Sequence, residues 1–175
     1  VLNQKDLVKE LIVQEKEKDV KVVDNFLPVP LIKLLHQHIL KDLPHTMTGC
    51  SKEGDTPFYY VDLRNEIFLN KIILTYICNT LKINLTLIRM YCNVQYQHMN
   101  GEWHTDTGDG SSRTVLIMIS DTLSKNSGCF CTKNNKYDFI QNRLLFFPAD
   151  IIHKGLAPTE KGVARITLAC KTKLI

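Results

Sequence analysis

The segment Gly101-Glu102-Trp103-His104-Thr105-Asp106 carries an imidazole and a carboxylate two positions apart, and a second imidazole, His153, stands well downstream. In an extended chain successive side chains point to opposite faces, so His104 and Asp106 share one face and can grip one cation. His153 follows the apolar run Arg143-Leu144-Leu145-Phe146-Phe147-Pro148, an expected strand whose turn can bring it back beside the first pair. Two imidazoles and one carboxylate on one side of a metal leave the other side open, a donor set suited to Fe(II) and dioxygen chemistry. His104, Asp106 and His153 are therefore the candidate metal ligands and catalytic residues.

The stretch after His153 suggests a second reactant. Val163, Arg165, Thr167 and Ala169 alternate with Ala164, Ile166, Leu168 and Cys170, which puts Arg165 and Thr167 on one face. An Arg projecting into an otherwise apolar barrel is an uncompensated charge unless an anion meets it. A dicarboxylate held by the guanidinium fork, with the Thr167 hydroxyl beside it, answers that need.

These residues require elements to hold them. Val20 to Val23 reads as a short strand after the polar stretch 14–18, and Pro28 and Pro30 suit the start of a helix over about 30–42. Residues 44–57, with Pro44, Gly49, Gly54 and Pro57, read as a long loop and candidate lid. Phe58 to Val61 favours a strand and 66–82 a second helix. Strands are expected at 85–95, 114–119, 128–132, 137–140, 143–147 and 163–171, with turn signals at Asp109-Gly110, Asn126-Ser127-Gly128 and Asn134-Asn135. Helices followed by a run of strands predict the α+β class: a double antiparallel sheet, or jelly roll, with amino-terminal helices packed outside. At 175 residues the chain suits one domain, with a helical support region over about 1–83 and a jelly-roll core over about 84–175.

His-x-Asp, a distant His and then Arg-x-Thr on the closing strand resemble the 2-oxoglutarate and Fe(II)-dependent oxygenases, nearest their prolyl 4-hydroxylase-like branch. Residues 84–172 carry the likeness, and Asp24-Asn25-Phe26-Leu27-Pro28 before a helix is similar to that branch's amino-terminal region. The resemblance implies a double-stranded β-helix fold. It also implies Fe(II) on His104, Asp106 and His153, and 2-oxoglutarate on Arg165 and Thr167, with ascorbate as an accessory reductant. Tyr91 and Asn93 are the candidates for a further cosubstrate contact on the strand before the first ligand, while Tyr96 lies on that strand's other face. The implied activity is hydroxylation of a peptidyl proline or a small molecule, with succinate and CO2 released.

Other residues have plainer readings. His36, His38, His45 and His98 are expected to be structural or exposed, with His98 the one to check for its nearness to the site. Cys129 and Cys131 form a single Cys-x-Cys, a poor zinc signal, and are expected to pack in the core. Trp103 should face away from His104. Phe58, Tyr59 and Tyr60 either fill strand core or line a substrate groove, and Gly108 and Gly110 suit either a site entrance or an ordinary turn.

Lys and Arg exceed Asp and Glu by 22 to 18, and the formal charge of +4 is spread along the chain, which argues against nucleic acid and a polybasic membrane anchor. The six cysteines are too sparse for a disulfide scaffold, and the first residues lack a secretory pattern, so a cytoplasmic setting is expected. Two rival functions use the same residues. A zinc hydrolase needs a general base, for which Glu102 is the neighbouring carboxylate; a non-catalytic jelly roll would bind metal and anion without turnover.

Overall fold

In the computed structural model, which describes residues 20–106 and 110–175, side chains on adjacent strands sort into two apolar layers. The described strands are β1 (Lys21–Val23), β2 (Thr46–Gly49), β3 (Phe58–Asp62), β4 (Leu85–Gln95), β5 (Ser112–Met118), β6 (Phe130–Thr132), β7 (Lys136–Tyr137), β8 (Leu144–Pro148), β9 (His153–Gly155) and β10 (Arg165–Leu174). The helices are α1 (Val29–Lys41) and α2 (Ile67–Leu81). The larger sheet has the order β1-β8-β5-β10-β4-β3-β2 and the smaller one β7-β6-β9, with antiparallel pairing in both. The polar stretch 14–18, and Gly108 and Asp109 of the expected turn, lie outside the described residues.

The layers follow the period of two. On one face of the larger sheet Met90, Cys92 and Val94 of β4, Val115 and Ile117 of β5, and Ile166, Leu168 and Cys170 of β10 form one buried cluster with Ile32, Leu35 and Ile39 of α1 and Ile73 and Ile77 of α2. On the other face Tyr91, Leu116, Met118, Leu145, Phe147 and Ala169 pack with Phe130 of the smaller sheet. Each helix buries one stripe, as an amphipathic helix on a sheet must. Pro28 and Pro30 open α1, where a missing N–H costs no helical bond, and Lys82 closes α2 in the left-handed conformation, φ 56°. Among the described residues no helix is long and apolar enough to cross a membrane.

Several boundaries differ from the sequence reading. The 44–57 segment is not all loop: β2 pairs along β3, with Gly49 opposite Phe58. A β-carbon on Gly49 would stand 2.5 Å from the Phe58 ring, so the glycine that suggested a loop serves close strand packing. The expected strand at 137–140 is reduced to Lys136–Tyr137, because Phe139 leaves the ladder to fill the core beneath the Arg165 guanidinium, 5.3 Å from its ring. The short β9 was not anticipated. Residues 20–83 contribute three strands as well as the two helices, and all three join the larger sheet.

Candidate metal centre

The His104–Asp106 segment runs beside β9. His104 N–H donates to His153 O at 3.0 Å, His153 N–H to His104 O at 2.9 Å, and Asp106 N–H to Ala149 O at 2.9 Å. This ladder draws the three side chains together: the imidazole centroids are 4.4 Å apart, and Asp106 Oδ1 lies 3.7 Å from His104 Nε2 and 3.8 Å from His153 Nε2. One donor atom from each residue falls within 4.8 Å of the others, close enough to hold one ion.

Local bonds fix what each side chain offers. Nδ1 of His104 is 2.8 Å from Glu102 O and Nδ1 of His153 is 2.8 Å from Ile151 O. A carbonyl can only accept, so both rings carry the proton on Nδ1 and turn the Nε2 lone pair toward Asp106. Burial lowers the His153 pKa to about 4, with the Asp106 charge opposing, and keeps that ring neutral. Asp106 divides its oxygens: Oδ2 accepts from Thr114 Oγ1 at 2.5 Å and from Lys171 Nζ, while Oδ1 faces the two imidazoles. Burial would raise the Asp106 pKa, but Lys171, His153 and the hydrogen bonds from Lys171 and Thr114 outweigh it and hold the carboxyl below its ordinary range.

A cavity of about 240 Å³ between the sheets contains all three donors together with Tyr91, Asn93, Arg165 and Thr167. Arg165 is 3% exposed and no carboxylate pairs with it among the described residues. Its Nε donates to Gly128 O at 2.7 Å and Nη1 to Gln95 Oε1 at 2.5 Å, which orient the fork without neutralising it. Burial lowers the Arg165 pKa to about 10, still far above neutrality. Gly155 leaves room for the guanidinium: a β-carbon there would sit 3.1 Å from Nη2. Next to it on the same face, the buried Thr167 Oγ1 has no hydrogen-bond partner among the described residues. A buried cation without a counter-charge and an orphaned hydroxyl in one cavity fit a bound diacid, since an unmet polar group costs about 1–3 kcal/mol.

The remaining sequence candidates separate cleanly. Tyr96 lies on the other face, edge-on to Tyr59 at 6.0 Å. Phe58 and Tyr60 line the cavity while Tyr59 packs against the core, so the aromatic run serves both of its readings by alternation. Trp103 stacks under two ammonium groups, Lys133 at 4.1 Å and Lys154 at 4.7 Å. His98 is exposed, and Cys129 and Cys131 are buried, free thiols. Glu102 is exposed and absent from the cavity lining. Gln95, Thr114, Gly155 and Lys171 were missed, although Gln95 and Lys171 continue the alternations Tyr91-Asn93 and Arg165-Thr167-Ala169 by one more step each.

No protein-family model matches the sequence, and no curated protein matches it. Solved structures do match in fold. A 2-oxoglutarate-Fe(II) oxygenase family oxidoreductase from Burkholderia pseudomallei is 12% identical, with 94% of this chain and 90% of that one covered at a TM-score of 0.68. The viral collagen prolyl hydroxylase of Paramecium Bursaria Chlorella virus-1, solved as a 2-oxoglutarate complex, is 13% identical over 90% of this chain and 97% of that one, at 0.62. HygX from Streptomyces hygroscopicus, solved with nickel, 2-oxoglutarate and hygromycin B bound, is 13% identical over 99% and 88%, also at 0.62. This chain therefore has the jelly-roll fold of the 2-oxoglutarate/Fe(II) oxygenases, prolyl hydroxylases among them.

Proposed function

We propose that the chain is an Fe(II)- and 2-oxoglutarate-dependent dioxygenase that hydroxylates a small-molecule or peptide substrate and releases succinate and CO2. The observation that carries this reading is the pairing, in one cavity, of the His104-Asp106-His153 donor set with a buried Arg165 lacking a counter-charge and an orphaned Thr167 hydroxyl. His104, Asp106 and His153 would hold Fe(II); Arg165 and Thr167 would take the distal carboxylate of 2-oxoglutarate, with Tyr91 and Asn93 beside them. Bound together, iron and 2-oxoglutarate supply the oxidising power for inserting one oxygen atom of O2 into a C–H bond while the cosubstrate is decarboxylated.

The chain's own part is preorganisation. The carbonyls of Glu102 and Ile151 keep both imidazoles in the tautomer that presents Nε2. Thr114 and Lys171 occupy Asp106 Oδ2, so the carboxylate offers Oδ1 to the ion. Gln95 and Gly128 O aim the Arg165 fork, and Leu116, Phe130 and Phe147 give the cavity an apolar wall.

Among the described residues the zinc hydrolase alternative has no free general base in the cavity: Glu102 is outside it, and Asp106, the carboxylate in its lining, is already held by Thr114 and Lys171. The six cysteines are free, which favours a reducing compartment such as the cytoplasm. The test is oxygen-dependent formation of succinate from 2-oxoglutarate with Fe(II), ascorbate keeping the iron reduced. A chain that binds Mn(II) but takes up no 2-oxoglutarate would overturn the reading; one that binds both and never forms succinate would be the non-catalytic module.

A further inference from the structure

Beside the metal cavity lies a second, more open one of about 440 Å³, lined by Arg64, Arg89, Arg113 and Lys171. The two cavities share Arg89, Asp106 and Lys171, so this groove opens directly onto the candidate metal centre. Resting on the oxygenase reading, we infer that the groove is the substrate's anion site and takes the phosphate group of a small-molecule substrate.

Three observations support it. The β4–β10 register sets Arg89 directly opposite Lys171, which gathers two of the groove's cationic side chains on neighbouring strands. The carboxylates nearby are already committed: Asp62 to Arg64, with a 2.6 Å contact, and Asp106 to Lys171. Among the described residues none lies within ion-pair distance of Arg89 or Arg113. Finally, both free guanidinium groups are held from behind. Arg113 Nη1 donates to Gly110 O at 2.8 Å and Ser112 O at 2.9 Å, and Arg89 lies over the Tyr91 ring at 4.6 Å. Oriented guanidinium forks match the bidentate geometry of a phosphate.

The groove is separate from the proposed cosubstrate anchor. Arg165 and Lys171 stand six positions apart on β10, about 20 Å along an extended strand, and Arg165 does not line the groove. Its charges form one cluster and not a track, and the chain's formal charge is only +4. That suits a single headgroup better than a polynucleotide backbone.

The test is calorimetric titration of phenyl phosphate into the full chain, loaded with Mn(II) and saturated with 2-oxoglutarate in the absence of oxygen. Phenyl phosphate should bind where phenol does not. The double variant Arg89→Gln, Arg113→Gln should weaken it about tenfold or more, and Arg89→Lys, Arg113→Lys, which keeps the charge and loses the forks, should weaken it less. Equal affinity in the Gln variant, displacement of phenyl phosphate by 2-oxoglutarate, or no binding at all would each overturn the proposal. In turnover, a sugar phosphate should stimulate succinate formation more than the parent sugar. Equal stimulation by the two, or stimulation by an oligonucleotide or an uncharged peptide instead, would also overturn it. Binding of 2-oxoglutarate is read separately in the wild-type chain: its absence, with phenyl phosphate bound, defeats the oxygenase reading and leaves the anion site standing.

Discussion

The two faces of the larger sheet are built from the same strands and have opposite chemistry. Toward the helices, β4 and β10 present Met90, Cys92, Val94, Ile166, Leu168 and Cys170, all buried and apolar. Toward the smaller sheet the alternating residues are Tyr91, Asn93, Gln95, Arg165, Thr167, Ala169 and Lys171, of which Arg165 and Thr167 are buried. The outer face is what stability selects. On the inner face burial works against the charges and hydroxyls it encloses, so their presence points to ligands.

That contrast can be broken at its strongest point first. Asp106→Ala removes the one carboxylate of the donor set, and turnover should fall to background with Mn(II) binding lost by titration; it should leave the half-buried Lys171 without that partner as well. The opposite face gives the next largest effect. Leu168→Ala should lower unfolding stability by about 2–5 kcal/mol in denaturant melts, with Mn(II) and 2-oxoglutarate affinity retained in the fraction that stays folded.

Arg165→Met keeps the bulk and removes the charge. It should raise the 2-oxoglutarate requirement on the order of 10- to 100-fold, the equivalent of one charge-assisted contact. Stability should hold, because a buried cation with no carboxylate partner contributes little to it. Thr167→Val should have two effects of opposite sign. Deleting an orphaned buried hydroxyl should stabilise the ligand-free chain by about 1 kcal/mol while weakening 2-oxoglutarate several-fold. A valine variant that is less stable and binds normally would show that the hydroxyl has a structural partner.

Hydrophobic periodicity, two along the strands and about 3.6 along the helices, made most of this legible. Both helices, β3, β4 and β8 follow the sequence expectation within a residue or two, and the alternation along 163–171 put Arg165 and Thr167 on one face before any coordinates. What stayed hidden depends on contacts between distant segments. The three residues of β9 are held by Phe130, Cys131 and Thr132 across the smaller sheet, and a run that short has no pattern of its own. β2 hid behind Gly49, whose role is packing on Phe58 and not flexibility. Thr114 gave no signal as a partner of Asp106, because their contact joins side chains eight positions apart and follows no short-range pattern. Lys171 was legible in principle, two positions past Ala169.

The smallest effect concerns a carboxylate on the surface that acts on the buried site from outside. Glu160 accepts from the hydroxyls of Ser124 and Ser127, from Ser124 N–H at 3.2 Å and from Thr159 Oγ1 at 3.2 Å. It thereby ties the segment before β10 to the turn that ends at Gly128, whose carbonyl orients Arg165. Those hydrogen bonds, led by Ser124 and Ser127, hold the Glu160 pKa down from 4.5 to about 2. A depressed carboxylate stabilises the fold above its unfolded pKa and loses that contribution as pH falls through the folded value. Glu160→Gln should therefore lower the melting temperature slightly at neutral pH, and the gap from wild type should close as pH drops from about 4.5 toward 2. Because the tether leads to Gly128, the same variant should raise the 2-oxoglutarate requirement by a factor of about two or three, far less than Arg165→Met. A gap in melting temperature that persists unchanged at pH 2 would mean that the Glu160 charge does not hold the turn.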